Sequence, residues 1–308
     1  MNRILVTDSL FIGPQEEQML MSAGYEIDRL DLPAATEEQL IEAIRGKVGY
    51  ILGGVETVTD AVIDAADQLR AISFTGSGYT EFIPAWRRAT ERGIAISAAR
   101  GANARAVAEF TVAAAVAQVR QLPNLMTPGG SSFAISREFE ELTVGIVGYG
   151  EIGRSAAEKY KALGFRVLAT TPAPDPGVTG STLEQIVAEA DVVSVHVNKD
   201  RGEMVLDATA IASLKEGVIV VNTAFREAID NEALVERLRL GTLRAAVDYP
   251  LTAGSLPIGA LLSSNGQTAF NTREANKRTS IRATASLLSL LAEADDADLV
   301  NPDFRNYI

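Results

Sequence analysis

The 308-residue chain contains no cysteine. Disulfides, thiolate nucleophiles and cysteine-based metal sites are therefore excluded. Histidine occurs once, at His196, so a multi-histidine metal site cannot form and no metal is expected. Any mechanism that needs a histidine base must use that residue. No apolar run reaches the roughly 18 residues of a membrane-spanning helix. The opening segment turns polar after Ile4-Leu5-Val6, too early for a secretory signal. Basic residues are in deficit: 28 Lys and Arg stand against 40 Asp and Glu, a net charge of −12. An acidic surface repels nucleic acid and anionic membranes. These absences lead us to expect a cytoplasmic protein that binds neither.

What is present is apolar enough, at 47%, for an ordinary packed core. The length allows two domains. Short buried-type runs read as strands at Arg3–Thr7, Gly49–Gly53, Ala71–Phe74 and Ile94–Ser97, and again at Thr143–Val147, Phe165–Thr170, Asp191–His196, Val218–Asn222 and Ala245–Asp248. Helical patterns lie between them, at Pro14–Ala23 and Arg154–Leu163 among others. A long Ala- and Val-rich helix is expected over Asn103–Leu122, and a last one near Asn276–Glu293. Pro123–Ser132, dense in Pro, Gly and Ser, reads as a loop. Strands spaced by helices imply parallel pairing and an α/β fold.

The strand ending at Val147 runs directly into Gly148-Tyr149-Gly150-Glu151-Ile152-Gly153, and a helix follows. A bare GxGxxG is weak evidence, but between a buried strand and a helix it marks a dinucleotide phosphate loop. Gly148 permits the turn, Gly150 lets backbone N–H groups approach a pyrophosphate, and Gly153 lets helix and strand pack closely. An acid about 20 residues further on ordinarily receives the adenosine ribose hydroxyls of NAD. Thr171 stands there instead. A hydroxyl does not repel a 2′-phosphate, yet Ala173, Pro174 and Asp175 supply no cation to hold one. The choice between NAD and NADP stays open, with Asp175 within reach of a ribose.

Further segments carry a resemblance. Gly101-Ala102-Asn103-Ala104-Arg105-Ala106-Val107-Ala108-Glu109, the glycine loop, Asp191–His196, Leu214–Ala224 and Val300-Asn301-Pro302 together resemble the D-2-hydroxyacid dehydrogenase family along nearly the whole chain. The resemblance implies two doubly wound parallel-sheet domains with a cleft between them. A flavodoxin-like substrate domain would span residues 1–98 and 286–308, with a Rossmann dinucleotide domain over 99–285. It also implies a homodimer through the dinucleotide domain, a small-molecule substrate, and cofactor contacts from Thr171, His196, Val197, Asn198, Thr223, Ala224, Phe225 and Asp248.

The family transfers a hydride at the 2-carbon of its substrate. It uses an Arg on the substrate, a His as acid/base and a Glu that holds the His. Here the corresponding positions are Phe225, Phe270 and Ala253. His196 matches a different family histidine. Arg226, one place beyond Phe225, is a candidate replacement, although a one-residue shift in extended chain turns a side chain to the opposite face. The stretch Asn198-Lys199-Asp200 before Arg201-Gly202 is shorter than its family counterpart. Gly76-Ser77-Gly78 resembles the family's loop for the substrate carboxylate, with Ser77 and Gly78 as substrate contacts. Arg100 is a candidate anion clamp. Tyr79 and Tyr249 are candidate proton donors, each needing a nearby cation to act as a base. Three readings follow: an NAD(P)-dependent oxidoreductase with a rewired site, acting on an unusual carbonyl, imine or keto-acid-like substrate; a non-redox enzyme that retains its dinucleotide; and a dinucleotide-sensing binding protein.

Overall fold

Continuous apolar strands need cover on both faces, and in this chain helices provide it. The computed structural model describes residues 2–7, 11–32, 34–199 and 204–307. The chain divides into two units, Met1–Asn103 with Thr272–Ile308, and Ala104–Asn271. The junctions differ from those expected from the sequence. The second falls at the head of the last helix, Arg273–Leu291, rather than inside it.

Unit 1 holds strands β1 (Arg3–Val6), β2 (Glu26–Arg29), β3 (Lys47–Leu52), β4 (Ala71–Phe74) and β5 (Ala95–Ala98), all parallel, in the order β2-β1-β3-β4-β5. Helices α1 (Pro14–Ser22), α2 (Glu37–Ala43), α3 (Asp60–Ala65), α4 (Tyr79–Phe82) and α5 (Trp86–Glu91) connect them. One sheet face carries small residues, and the last helix lies against it. Ser97 donates to Ser73 at 3.0 Å, and Ser73 donates to the Ala283 carbonyl at 2.8 Å. A Cβ at Gly49 would stand 3.1 Å from Leu291 and 3.3 Å from Leu287. That close seating is why the whole last helix belongs to unit 1. Strand β2 was not anticipated: Glu26-Ile27-Asp28-Arg29 is a half-buried edge whose charges pair with Arg3, Lys47 and Glu17.

Unit 2 begins with α6 (Ala104–Val119) and α7 (Leu122–Met126). The expected single helix is thus interrupted by Gln121, whose φ is +54°. Part of the expected loop is helical as well, with Pro123 in the first turn, where its missing N–H costs nothing. Strands β6 (Thr143–Val147), β7 (Arg166–Ala169), β8 (Thr179–Gly180), β9 (Val192–Val195), β10 (Val218–Asn222), β11 (Leu243–Val247) and β12 (Leu261–Ser263) form one parallel sheet, in the order β12-β11-β10-β9-β6-β7-β8. Helices α8 (Glu151–Ala162), α9 (Leu183–Glu189), α10 (Ala208–Ser213) and α11 (Asn231–Arg239) complete the unit. The strand order reverses between β6 and β9, where Val147 pairs with Val195. In an open α/β sheet that switch point, at the carboxyl ends of the strands, is where ligands bind.

Candidate functional site

At the switch point β6 ends on Val147 and the chain turns through Gly148, with φ at +93°. The Gly148 N–H donates to the Thr170 hydroxyl at 2.9 Å, which ties the loop to the end of β7. A Cβ on Gly148 would lie 2.6 Å from the His196 carbonyl oxygen, and one on Gly153 would lie 2.2 Å from the carbonyl oxygen of Gly148. Both positions are closed to any side chain. Gly150 differs: its Cβ would meet nothing within 4 Å. Helix α8 opens at Glu151, three residues before the expected start, so Glu151, Ile152 and Gly153 form its first turn. Its N-cap, Gly150, contributes no side-chain hydrogen bond. Orphan N–H groups, the positive end of the helix dipole and open space beside Gly150 thus coincide. This arrangement fits a dinucleotide pyrophosphate.

The neighbouring strand ends shape the rest of the site. Thr171 accepts from the Ala173 N–H at 3.2 Å and so stabilises the turn after β7. In the same loop Asp175 accepts from the Tyr149 hydroxyl at 2.8 Å and from Arg154 at 2.6 Å. The Tyr149 hydroxyl and Arg154 hold the Asp175 carboxyl below the usual carboxylate range. Sequence reading missed this cluster because Arg154 comes from the helix, not from the loop. His196 directly follows β9, with its Nε2 2.8 Å from the Ser194 hydroxyl. Its Nδ1 is buried with no partner among the described residues, and burial pushes the ring pKa down to about 4. The ring is therefore neutral near pH 7. Val197 is half-buried and Asn198 exposed beside it. Of the stretch flagged as shortened, Asp200, Arg201 and Gly202 lie outside the described residues.

Past β10, Asn222 builds an Asx turn by accepting from the Ala224 N–H at 2.9 Å. It also donates to the Phe225 carbonyl at 3.1 Å and to the Tyr249 hydroxyl at 3.2 Å. The Thr223 and Thr111 hydroxyls share a 2.8 Å hydrogen bond. Phe225 is buried in the apolar core with Ile229 and Tyr249. Its side chain packs into that core. Arg226 sits in a 3-10 turn, where it donates to the Pro250 carbonyl at 2.8 Å and lies 5.7 Å from the Tyr249 ring centre. Tyr249 donates to Asn231 at 2.9 Å, and its pKa is pushed up to about 12, mainly by burial. Asp248 is buried and accepts from the backbone N–H groups of Thr268 and Ala269 at 2.8–3.1 Å. It acts as a brace for that loop. Ala253 is buried, with its carbonyl taken by Arg239, and Phe270 is half-buried.

In unit 1, Ser77, Gly78, Tyr79 and Arg100 gather at the carboxyl ends of β4 and β5. Tyr79 is buried edge-on to Trp86, at a centroid distance of 6.4 Å. The exposed Arg100 guanidinium lies 5.8 Å from the Tyr79 ring centre. Among the described residues no cluster of three or more His, Asp and Glu is placed to hold a metal ion. No described helix is long and apolar enough to cross a membrane.

Fold and site together define a dinucleotide-binding α/β protein. Comparison with known proteins narrows the class. Residues 111–252 match the NAD binding domain of the D-isomer specific 2-hydroxyacid dehydrogenases. A D-3-phosphoglycerate dehydrogenase of Mycobacterium bovis is 30% identical over 257 residues, covering 79% of this chain and 47% of the relative. The chain thus spans about half the length of that enzyme. A hydroxypyruvate reductase of Thermotoga maritima is 29% identical over 219 residues, covering 68% and 71% of the two chains. The crystal structure of a Thermus thermophilus protein superposes with a TM-score of 0.83 at 29% identity, covering 97% of this chain and 99% of that one. The chain carries the NAD-binding domain of the D-2-hydroxyacid dehydrogenase family and is similar to proteins of that family along most of its length.

Proposed function

We propose that this protein is an NAD(P)-dependent oxidoreductase whose substrate is handled by residues other than the family's Arg, Glu and His. The observation that carries the reading is the loop from Gly148 to Gly153, closed to side chains at both ends and open at Gly150 toward the bare N-terminus of α8. A bound nicotinamide supplies or accepts a hydride. The chain must hold the substrate anion and provide a proton. For the anion, unit 1 offers Arg100 with Ser77 and the Gly78 backbone. For the proton, Tyr79 is the candidate, with its ring centre 5.8 Å from the Arg100 guanidinium. Arg226 is the weaker candidate, since its guanidinium is engaged with Pro250. A substrate with an intrinsically reactive carbonyl or imine suits so sparse a set of groups. We further propose a cytoplasmic homodimer formed through unit 2, supported by exposed apolar side chains at Met126, Phe133 and Ile135.

The test is absorbance at the reduced-nicotinamide band with a broad panel of keto acids, aldehydes and imines. We expect oxidation of the cofactor with at least one of them, and its loss in Arg100→Ala with binding of the dinucleotide retained. No turnover with any substrate, despite demonstrated binding, would overturn the proposal. One observation favours a second reading, a bound dinucleotide without net redox turnover, in a non-redox enzyme or a sensor. Phe225, Ala253 and Phe270 carry no titratable group, and His196 and Tyr249 are both neutral and hydrogen-bonded. Product formed with no change in the cofactor's redox state would establish the enzyme form of that reading.

A further inference from the structure

We propose that Asp175 makes the site selective for NAD(H) over NADP(H), by receiving the adenosine ribose hydroxyls from a loop position in place of the missing strand-end acid. The inference rests on the dinucleotide reading of the glycine loop. In a βαβ nucleotide-binding unit the adenosine ribose lies at the carboxyl end of the strand that follows the loop helix, which here is β7. Thr171, at that end, spends its hydroxyl on the Ala173 N–H.

Asp175 lies four residues further on and is tied back to the phosphate loop at two points. Its Oδ2 accepts from Tyr149, inside the glycine loop, and from Arg154, in the first turns of α8. The Arg154 guanidinium also covers the Tyr149 ring, 4.8 Å from its centre. The Asp175 carbonyl accepts from the Val178 N–H at 3.0 Å, and Val178 is anchored in the core. The loop therefore presents its carboxylate at a set place. Tyr149 and Arg154 keep that group ionised. Oδ1 takes no hydrogen bond among the described residues, and the side chain is 48% exposed.

An ionised carboxylate with one free oxygen suits a vicinal diol, whose hydroxyls both donate. The same charge repels a 2′-phosphate. Arg154, the cation that would otherwise clamp that phosphate, already has its NH1 on Asp175 and its face on Tyr149. The pair therefore presents no net positive charge to a second anion.

The experiment is a fluorescence or calorimetric titration of the full chain with NAD+ and with NADP+, repeated for Asp175→Asn and Tyr149→Phe, with circular dichroism to verify folding. We expect the wild type to bind NAD+ at least about tenfold more tightly than NADP+. In Asp175→Asn the ratio should shrink about fivefold or more, chiefly through tighter NADP+ binding, and in Tyr149→Phe it should shrink less. Equal or tighter binding of NADP+ by the wild type would overturn the inference without any variant. So would an unchanged ratio in folded Asp175→Asn, which would leave the dinucleotide reading standing. A folded wild type that binds neither dinucleotide would overturn both.

Discussion

His196 is the only histidine, and its surroundings make it a pH sensor of the fold rather than a catalytic base. In the folded chain its pKa is pushed down to about 4, against about 6.5 when solvated. Between those values the unfolded chain binds the extra proton and the folded chain does not. Stability from this residue is therefore full above pH ~6.5 and declines as the pH falls toward ~4. The loss is on the order of 3–3.5 kcal/mol at most, and less to the degree that the ring is solvated. Urea unfolding at about pH 7 and about pH 5 should show a fall in stability, and His196→Gln should flatten it. An unchanged slope in the variant would refute the assignment. Sequence alone identified His196 as a family-type strand-end histidine and set it apart from the acid/base. It did not reveal the Ser194 partner or the burial, because both depend on what packs over the strand end. Phe225 teaches the same lesson: its position was legible, but the direction of its side chain was not.

Glycines in one motif do different work, and the loop-helix element separates them. A Cβ at Gly153 meets a backbone carbonyl at 2.2 Å, which only backbone movement can relieve. Gly153→Ala should cost about 2–4 kcal/mol of stability and weaken dinucleotide binding with it. A Cβ at Gly150 meets nothing, and its φ of −81° is open to any residue. Gly150→Ala should leave urea stability within about 0.5 kcal/mol of wild type while weakening NAD+ binding about tenfold or more, because the methyl occupies the approach to the pyrophosphate. Equal loss of stability in the two variants would contradict this division of roles. At the level of elements, the apolar strands and the glycine loop were readable from short-range pattern. The edge strand β2 was not, since its Glu-Ile-Asp-Arg sequence has no apolar run and its charges are satisfied only by partners distant in sequence. Capping boxes at Thr36 with Gln39 and Thr182 with Gln185 would have located α2 and α9.

For the whole molecule, net charge and exposed apolar surface act in opposite directions. The excess of acidic groups keeps copies apart at long range, yet Met126, Phe133 and Ile135 are 75%, 80% and 82% exposed on one stretch of unit 2. These exposed apolar side chains are the feature on which the proposed homodimer rests. We expect sedimentation to report a dimer, and Phe133→Glu with Ile135→Glu to shift it to monomer while the circular dichroism spectrum is retained. A wild type that sediments as monomer at all concentrations would remove the second copy from the proposal.

The sequence by itself determined the α/β class, the phosphate loop and the family resemblance. These follow from local pattern and residue identity, which need no knowledge of what lies nearby in space. The tertiary structure decided the rest. It assigned the whole last helix to unit 1, since only packing shows that Gly49, Ser73 and Ser97 leave room for it. It also turned Phe225 into the core and engaged Arg226 with Pro250. And it brought Tyr149, Arg154 and Asp175 together around one carboxylate, a grouping of residues up to 26 positions apart that no periodicity encodes.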